Sequence, residues 1–137
     1  MAINTVLHTA RTFTSGGRKG SAHTLDGRLE ITLTPPGAPG RGANPEQLLA
    51  IAWSACLLGA LRHAAHARKL AFPTSAAVDA EVDLAHGEEG FFLSARFAVS
   101  LPGLENEIAH RLILAAQCNC PFTKATAGNM AVSFALA

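Results

Sequence analysis

Apolar and polar side chains alternate in several short stretches of this chain, and one long stretch breaks the alternation. Residues 5–13 mix β-branched and polar positions in rough alternation and predict a strand, closed by the turn residues Ser15, Gly16 and Gly17. Residues 21–24 and 29–33 predict two more short strands, with Asp26-Gly27 as the hairpin turn between them. Three strands joined by tight turns form an antiparallel meander. A Pro/Gly-rich loop over residues 35–42 follows. It ends at a strong helix start, in which Asn44 can cap, Pro45 suits the first position, Glu46 favours the positive helix end and Gln47 completes a capping box. This helix is expected to run to about Lys69. From 48 to 61 it is apolar nearly all round, which predicts a buried helix rather than an amphipathic one.

Downstream, residues 77–84 and 91–101 alternate as strands, joined through 87–90. Pro102-Gly103 is a turn. A second helix is expected over 105–117, with Leu104, Ile108, Leu112 and Ala115 on one face. Pro121 interrupts it, a short turn or helix covers 122–127, Gly128 closes that piece, and 130–136 is a final strand. The order β-β-β-α-β-β-α-β predicts an α+β fold, with helices packed on one side of antiparallel sheet.

Length and composition narrow the class. With 137 residues, one domain spanning 1–137 is expected, large enough to fold without disulfide staples or a structural metal. The chain is 49% hydrophobic and only 15% charged, which predicts that part of its surface is covered by another subunit. A formal net charge of +1, with no basic block and few aromatics, gives no footprint for nucleic acid. The stretch 48–61 is shorter than the ~20 residues a bilayer crossing takes, so no membrane association is expected. No basic start followed by an apolar run opens the chain, which makes the cytoplasm the default location.

The three cysteines carry the candidate chemistry. Cys56 lies about three turns into the apolar helix, where burial raises a thiol's pKa and makes it inert unless a cation stands nearby. Cys120 precedes a proline, which pushes its backbone into an extended form at a helix end and can re-aim its side chain. Cys118 reads as a bystander, because Cys118-Asn119-Cys120 is a poor disulfide and a weak metal signal. His63 and His66 read as a solvated helix end, and no metal site is expected.

Four blocks together carry a resemblance. They are Gly16-Gly17-Arg18-Lys19-Gly20, Asn44-Pro45-Glu46-Gln47-Leu48, Ser54-Ala55-Cys56 with Leu57-Leu58-Gly59-Ala60-Leu61 after it, and the run from Cys120-Pro121-Phe122-Thr123 to Gly128-Asn129. In this order and spacing they resemble the OsmC/Ohr family. The Gly-Gly-Arg loop, the Asn-Pro-Glu-Gln helix start and the turn Ser100-Leu101-Pro102-Gly103-Leu104 place the chain nearer the organic hydroperoxide resistance branch. The resemblance covers residues from about Arg11 to the C-terminus.

It implies a thiol-dependent peroxidase acting on organic and fatty-acid hydroperoxides. It also implies an intertwined homodimer, with sheets wrapped around the helix that carries Cys56 and active sites at the subunit interface. Cys56 would be the peroxidatic cysteine and Cys120 the resolving one. Arg18 and Glu46 match the pair that organises the thiolate: a guanidinium stays charged when buried, and a carboxylate can orient it. No cofactor is implied. A dithiol, such as a protein-bound lipoyl group, would regenerate the enzyme. Leu57 and Phe122 are candidate substrate contacts, together with Phe91, Phe92 and Phe97. Phe122 stands where the family often has Tyr, and Cys118 lies outside the pattern. Peroxidases of the broader OsmC branch, a non-catalytic redox sensor on the same scaffold, and a metal site through Cys118, Cys120 and histidines are the competing readings.

Overall fold

The computed structural model describes residues 4–137. Two compact units divide the chain, one within Met1–Pro45 and the other Glu46–Ala137.

The N-terminal unit is a three-stranded antiparallel meander of β1 (Thr12–Ser15), β2 (Ser21–Thr24) and β3 (Glu30–Thr32). The first strand is shorter than the sequence pattern predicts and starts later. Among the described residues, 5–11 alternate but form no strand: β2 offers only four residues to pair with, and beyond them Arg11 keeps one bond, from the Leu25 amide at 2.9 Å. The Asp26-Gly27 hairpin forms as expected. Gly27 adopts φ 79°, and the Asp26 carboxylate accepts bonds from the Thr24 hydroxyl (2.7 Å) and the Arg28 amide (3.0 Å). These donors hold the Asp26 carboxyl below its ordinary pKa. The Pro/Gly loop after β3 is cinched at its base, where Thr34 N–H donates to the Ala43 carbonyl and Ala43 N–H to the Thr32 carbonyl, each at 3.0 Å.

The C-terminal unit begins with helix α1 (Pro45–Ala67). The helix ends two residues before Lys69, which takes a left-handed conformation (φ 56°), while Leu70 N–H closes on the Ala65 carbonyl at 2.9 Å. By length and composition alone α1 could cross a membrane. Its buried residues Trp53, Leu57, Ala60, Leu61, Ala64 and Ala65 instead join the core of this unit. The expectation that α1 is buried all round needs correction. Ile51, Ala52, Ala55 and Gly59 are exposed, because sheet and helix cover only one side of it in this unit.

Strands β4 (Ala77–Gly87) and β5 (Gly90–Ser100) form a long antiparallel hairpin. Helix α2 (Asn106–Asn119) and a short helix α3 (Pro121–Thr126) follow, and β6 (Ala131–Leu136) closes the sheet beside β5. The all-antiparallel expectation fails at β6, which pairs parallel to β5 from Ser94↔Ala131 to Val99↔Leu136. Parallel neighbours need a crossover connection, and the α2–α3 segment supplies one between β5 and β6. The buried stripe of α2 is Ala109, Leu112, Ile113 and Ala116, so the helix is rotated slightly from the predicted face; Ile108 and Ala115 sit half-buried at its flank. The inner face of β5 adds Ala95, Phe97 and Val99 to the same core. On the opposite face Arg96 makes a two-pronged ion pair with Asp83, which lowers the Asp83 pKa and raises that of Arg96.

The architecture is therefore α+β in the predicted order, with α3 as a short addition. Two three-stranded sheets are present among the described residues.

Candidate active site

Two elements of the C-terminal unit bring thiols together. Cys56 sits on α1 one residue before the fully buried Leu57. Cys120 sits between α2 and α3, with φ −75° and ψ 114°. This extended residue is what a following proline demands. It stops α2, starts α3 with Pro121 at the first position, and turns the Cys120 side chain into the core, where it is fully buried. The Cys120 Sγ stands 3.5 Å from the Cys56 Sγ, close enough to share a hydrogen between them. A disulfide bond is ~2.05 Å, so bonding needs the sulfurs to close by about 1.5 Å.

Both cysteines are free thiols, as is the exposed Cys118. Burial is the largest influence on Cys56 and pushes its thiol up from the ordinary value; the Cys120 thiol beside it pushes in the same direction. The backbone N–H of Phe122, in the first turn of α3, acts against this by donating toward the Cys56 sulfur. A thiolate is stabilised by such a donor, but within this unit desolvation wins.

Trp53 fixes these parts in place and was not singled out by sequence. It lies three residues before Cys56 and is fully buried. Its indole N–H donates to Thr123 Oγ1 on α3 at 3.0 Å. Its ring stacks near Phe122 (centroids 6.4 Å apart, 25° between planes) and tilts against Phe97 at 4.8 Å. The signal available in sequence was the spacing alone: a tryptophan one turn from a cysteine on the same helix usually signals core. Phe122 is 37% exposed, so its ring offers apolar surface beside the thiols, whereas Leu57 is wholly inside the core. Phe97 is also core, and Phe91 and Phe92 are exposed on the β4–β5 hairpin.

The other two expected site residues are set by their own local structure. Arg18 is the middle residue of a single 3-10 turn, Gly17–Lys19, between β1 and β2 in the N-terminal unit. Gly16 takes φ 76°, and a Cβ on Gly20 would lie 1.7 Å from the Ser15 carbonyl oxygen. Glycine is therefore obligatory at Gly20, and the turn presents Arg18 at an exposed apex. Glu46 occupies the first turn of α1, ten residues before Cys56 on the same helix, and is partly buried. Among the described residues, no three His, Cys, Asp or Glu side chains converge as metal ligands would.

Comparison with known proteins points one way. The profile of the OsmC-like protein family matches residues 38–135. An organic hydroperoxide resistance protein of Xanthomonas axonopodis pv. citri is 35% identical over 136 residues, covering 96% of each chain. The crystal structure of the organic hydroperoxide resistance protein OhrB of Bacillus subtilis superposes with a TM-score of 0.91 at 34% identity, covering 96% of this chain and all of that one. An organic hydroperoxide resistance protein from Legionella pneumophila superposes with a TM-score of 0.90 at 33% identity, over 97% of this chain and 99% of the other.

Proposed function

The chain belongs to the OsmC-like family, and from that membership we propose that it detoxifies organic hydroperoxides as a two-cysteine thiol peroxidase. The observation that carries this reading is the 3.5 Å approach of the Cys56 and Cys120 sulfurs. Relatives at 35% identity over nearly the whole chain, named for organic hydroperoxide resistance, support the substrate class.

The cycle balances as follows. The Cys56 thiolate attacks the terminal oxygen of ROOH, the O–O bond breaks, and the leaving alkoxide takes a proton to become the alcohol. Cys56 is now a sulfenic acid. The Cys120 thiolate attacks the Cys56 sulfur, the S–O bond breaks, and the hydroxide leaves as water after taking a proton. An external dithiol, such as a lipoyl group on a partner protein, then reduces the disulfide through a mixed disulfide. For Arg18 and Glu46 we propose the roles that the family resemblance implies: a guanidinium that stabilises the Cys56 thiolate and a carboxylate that orients it. The exposed ring of Phe122 favours an apolar hydroperoxide over hydrogen peroxide.

We further propose the homodimer as the active form and the cytoplasm as its location. The exposed apolar residues of α1, Ile51, Ala52, Ala55 and Gly59, support the dimer, since water is a poor neighbour for such a face. The deciding experiment counts free thiols after the reduced protein meets one equivalent of cumene hydroperoxide. Two thiols should vanish and cumyl alcohol should appear. Retention of all three thiols would end the proposal.

A further inference from the structure

Helix α3 carries chemistry at its start but has little to anchor it. None of its six residues is buried. Yet it begins immediately after Cys120, and its first turn includes the Phe122 N–H that faces the Cys56 sulfur. Any swing of α3 would therefore shift both groups that meet Cys56.

Besides that N–H, the side chain of Trp53 ties this helix to α1. The indole is fully buried and reaches across to α3 with both its N–H and its ring: the N–H bonds Thr123 Oγ1 at 3.0 Å, and the ring stacks on Phe122. The same indole also packs against Phe97 of β5, with centroids 4.8 Å apart. Trp53 and Cys56 lie three residues apart on one rigid helix, so they project from the same side of it. A buried indole N–H must have an acceptor, and Thr123 provides it, which makes this distance specific rather than merely close-packed.

We propose that the Trp53–Thr123 hydrogen bond is a positioning bond, holding the start of α3 against α1 so that Cys120 is in place to attack Cys56 once Cys56 is oxidised. This rests on the two-cysteine peroxidase reading above. The step it governs is the attack of the Cys120 thiolate on the Cys56 sulfenic acid, which forms the S–S bond and releases hydroxide. Neither Trp53 nor Thr123 exchanges protons or electrons with the reacting atoms.

The test uses the full-length protein, as wild type, Thr123→Val, Thr123→Ser, Trp53→Phe and the double variant Trp53→Phe/Thr123→Val. Each reduced protein is mixed with one equivalent of cumene hydroperoxide. Sulfenic acid is trapped at intervals with a cyclic diketone, and disulfide is followed by mass. Thr123→Val should form sulfenic acid and then close to disulfide about fivefold more slowly than wild type, the scale a single neutral hydrogen bond carries. Thr123→Ser, which keeps the acceptor, should stay within about twofold of wild type. Trp53→Phe should slow closure as Thr123→Val does, and the double variant should be no slower than either. Should Thr123→Val fail to fold, Trp53→Phe decides alone. Closure at the wild-type rate in a folded variant, even with a lowered Tm, overturns the inference, and so do additive losses in the double variant. Wild-type protein that keeps its thiols overturns the peroxidase reading instead. Trp53 is the only tryptophan, so its emission on mixing gives a second record of the same closure in wild type and the Thr123 variants.

Discussion

The Cys120 sulfur lies 3.5 Å from the Cys56 sulfur across 64 residues of sequence, while Cys118, two residues away from Cys120, is exposed. The difference arises at one backbone residue. Pro121 ends α2 and makes Cys120 extended, so Cys120 turns inward while Cys118 remains on the outer side of the last helical turn. Cys118→Ser should therefore keep peroxidase activity and change stability by no more than about 0.5 kcal/mol. Cys120→Ser should consume one equivalent of hydroperoxide and accumulate sulfenic acid at position 56. Cys56→Ser should consume none. Peroxide consumption and intact-protein mass check all three.

The pH dependence of Cys56 tests the role of Arg18. Burial and the neighbouring thiol raise the Cys56 pKa above its ordinary 9.0, and the Phe122 N–H acts against them. If the Arg18 guanidinium stabilises the Cys56 thiolate, Arg18→Met should raise the alkylation midpoint of Cys56 above that of wild type. The sign for stability follows. The folded state holds the Cys56 proton more tightly than the unfolded chain, the more so in Arg18→Met, so this contribution is full below the ordinary thiol pKa and is lost as pH rises through the raised value. Denaturation of the reduced variant above pH 9 should show that decline, and adding Cys56→Ser should remove it. Equal alkylation midpoints in wild type and Arg18→Met would exclude Arg18 from the site.

The loop that presents Arg18 is set by backbone sterics. A methyl group at position 20 would overlap the Ser15 carbonyl oxygen, so Gly20→Ala must deform the turn. Its expected consequence is a loss of peroxidase rate comparable to that of Arg18→Met, with the Cys56–Cys120 disulfide still able to form under a diffusible thiol oxidant.

Core packing under the thiols is a separate matter. Leu61 is fully buried in the core cluster of α1, β5 and α2, one turn beyond Leu57. Leu61→Ala should destabilise the protein by about 2–5 kcal/mol through lost burial and the cavity left behind. Denaturant unfolding followed by Trp53 emission measures this directly.

The exposed side of α1 should respond to charge. Ile51 is 67% exposed in the single chain despite lying in the most apolar stretch of the sequence. Ile51→Glu is expected to shift the protein from dimer to monomer in sedimentation. A wild type that sediments as a monomer would remove the dimer from the proposed function.

Much was legible before the fold was seen. The helix start at Asn44-Pro45-Glu46-Gln47, the Asp26-Gly27 hairpin, the β4–β5 hairpin and the break at Pro121 all rest on local stereochemistry, which a chain expresses wherever it occurs. The family blocks were legible for the same reason: they are short and ordered along the chain. The failures were non-local. The alternation of residues 5–11 could not reveal that β2 offers too short a partner. The apolar run 48–61 could not say which side of α1 this unit covers. Pairing of β6 parallel to β5 depends on the helical crossover between them.

Sequence alone determined which residues could do chemistry: a cysteine in an apolar helix, a cysteine held extended by the proline after it, and an arginine in a glycine-bounded turn. These are properties of side chains and of φ and ψ at single residues. Only the tertiary structure decided that Cys56 and Cys120 meet, that Cys118 does not join them, and that Trp53 reaches Thr123 across α1 and α3. Such contacts join residues 64 and 70 positions apart. They exist because burying α1, α2 and the sheet in one core leaves a single arrangement that fills space and satisfies the indole N–H.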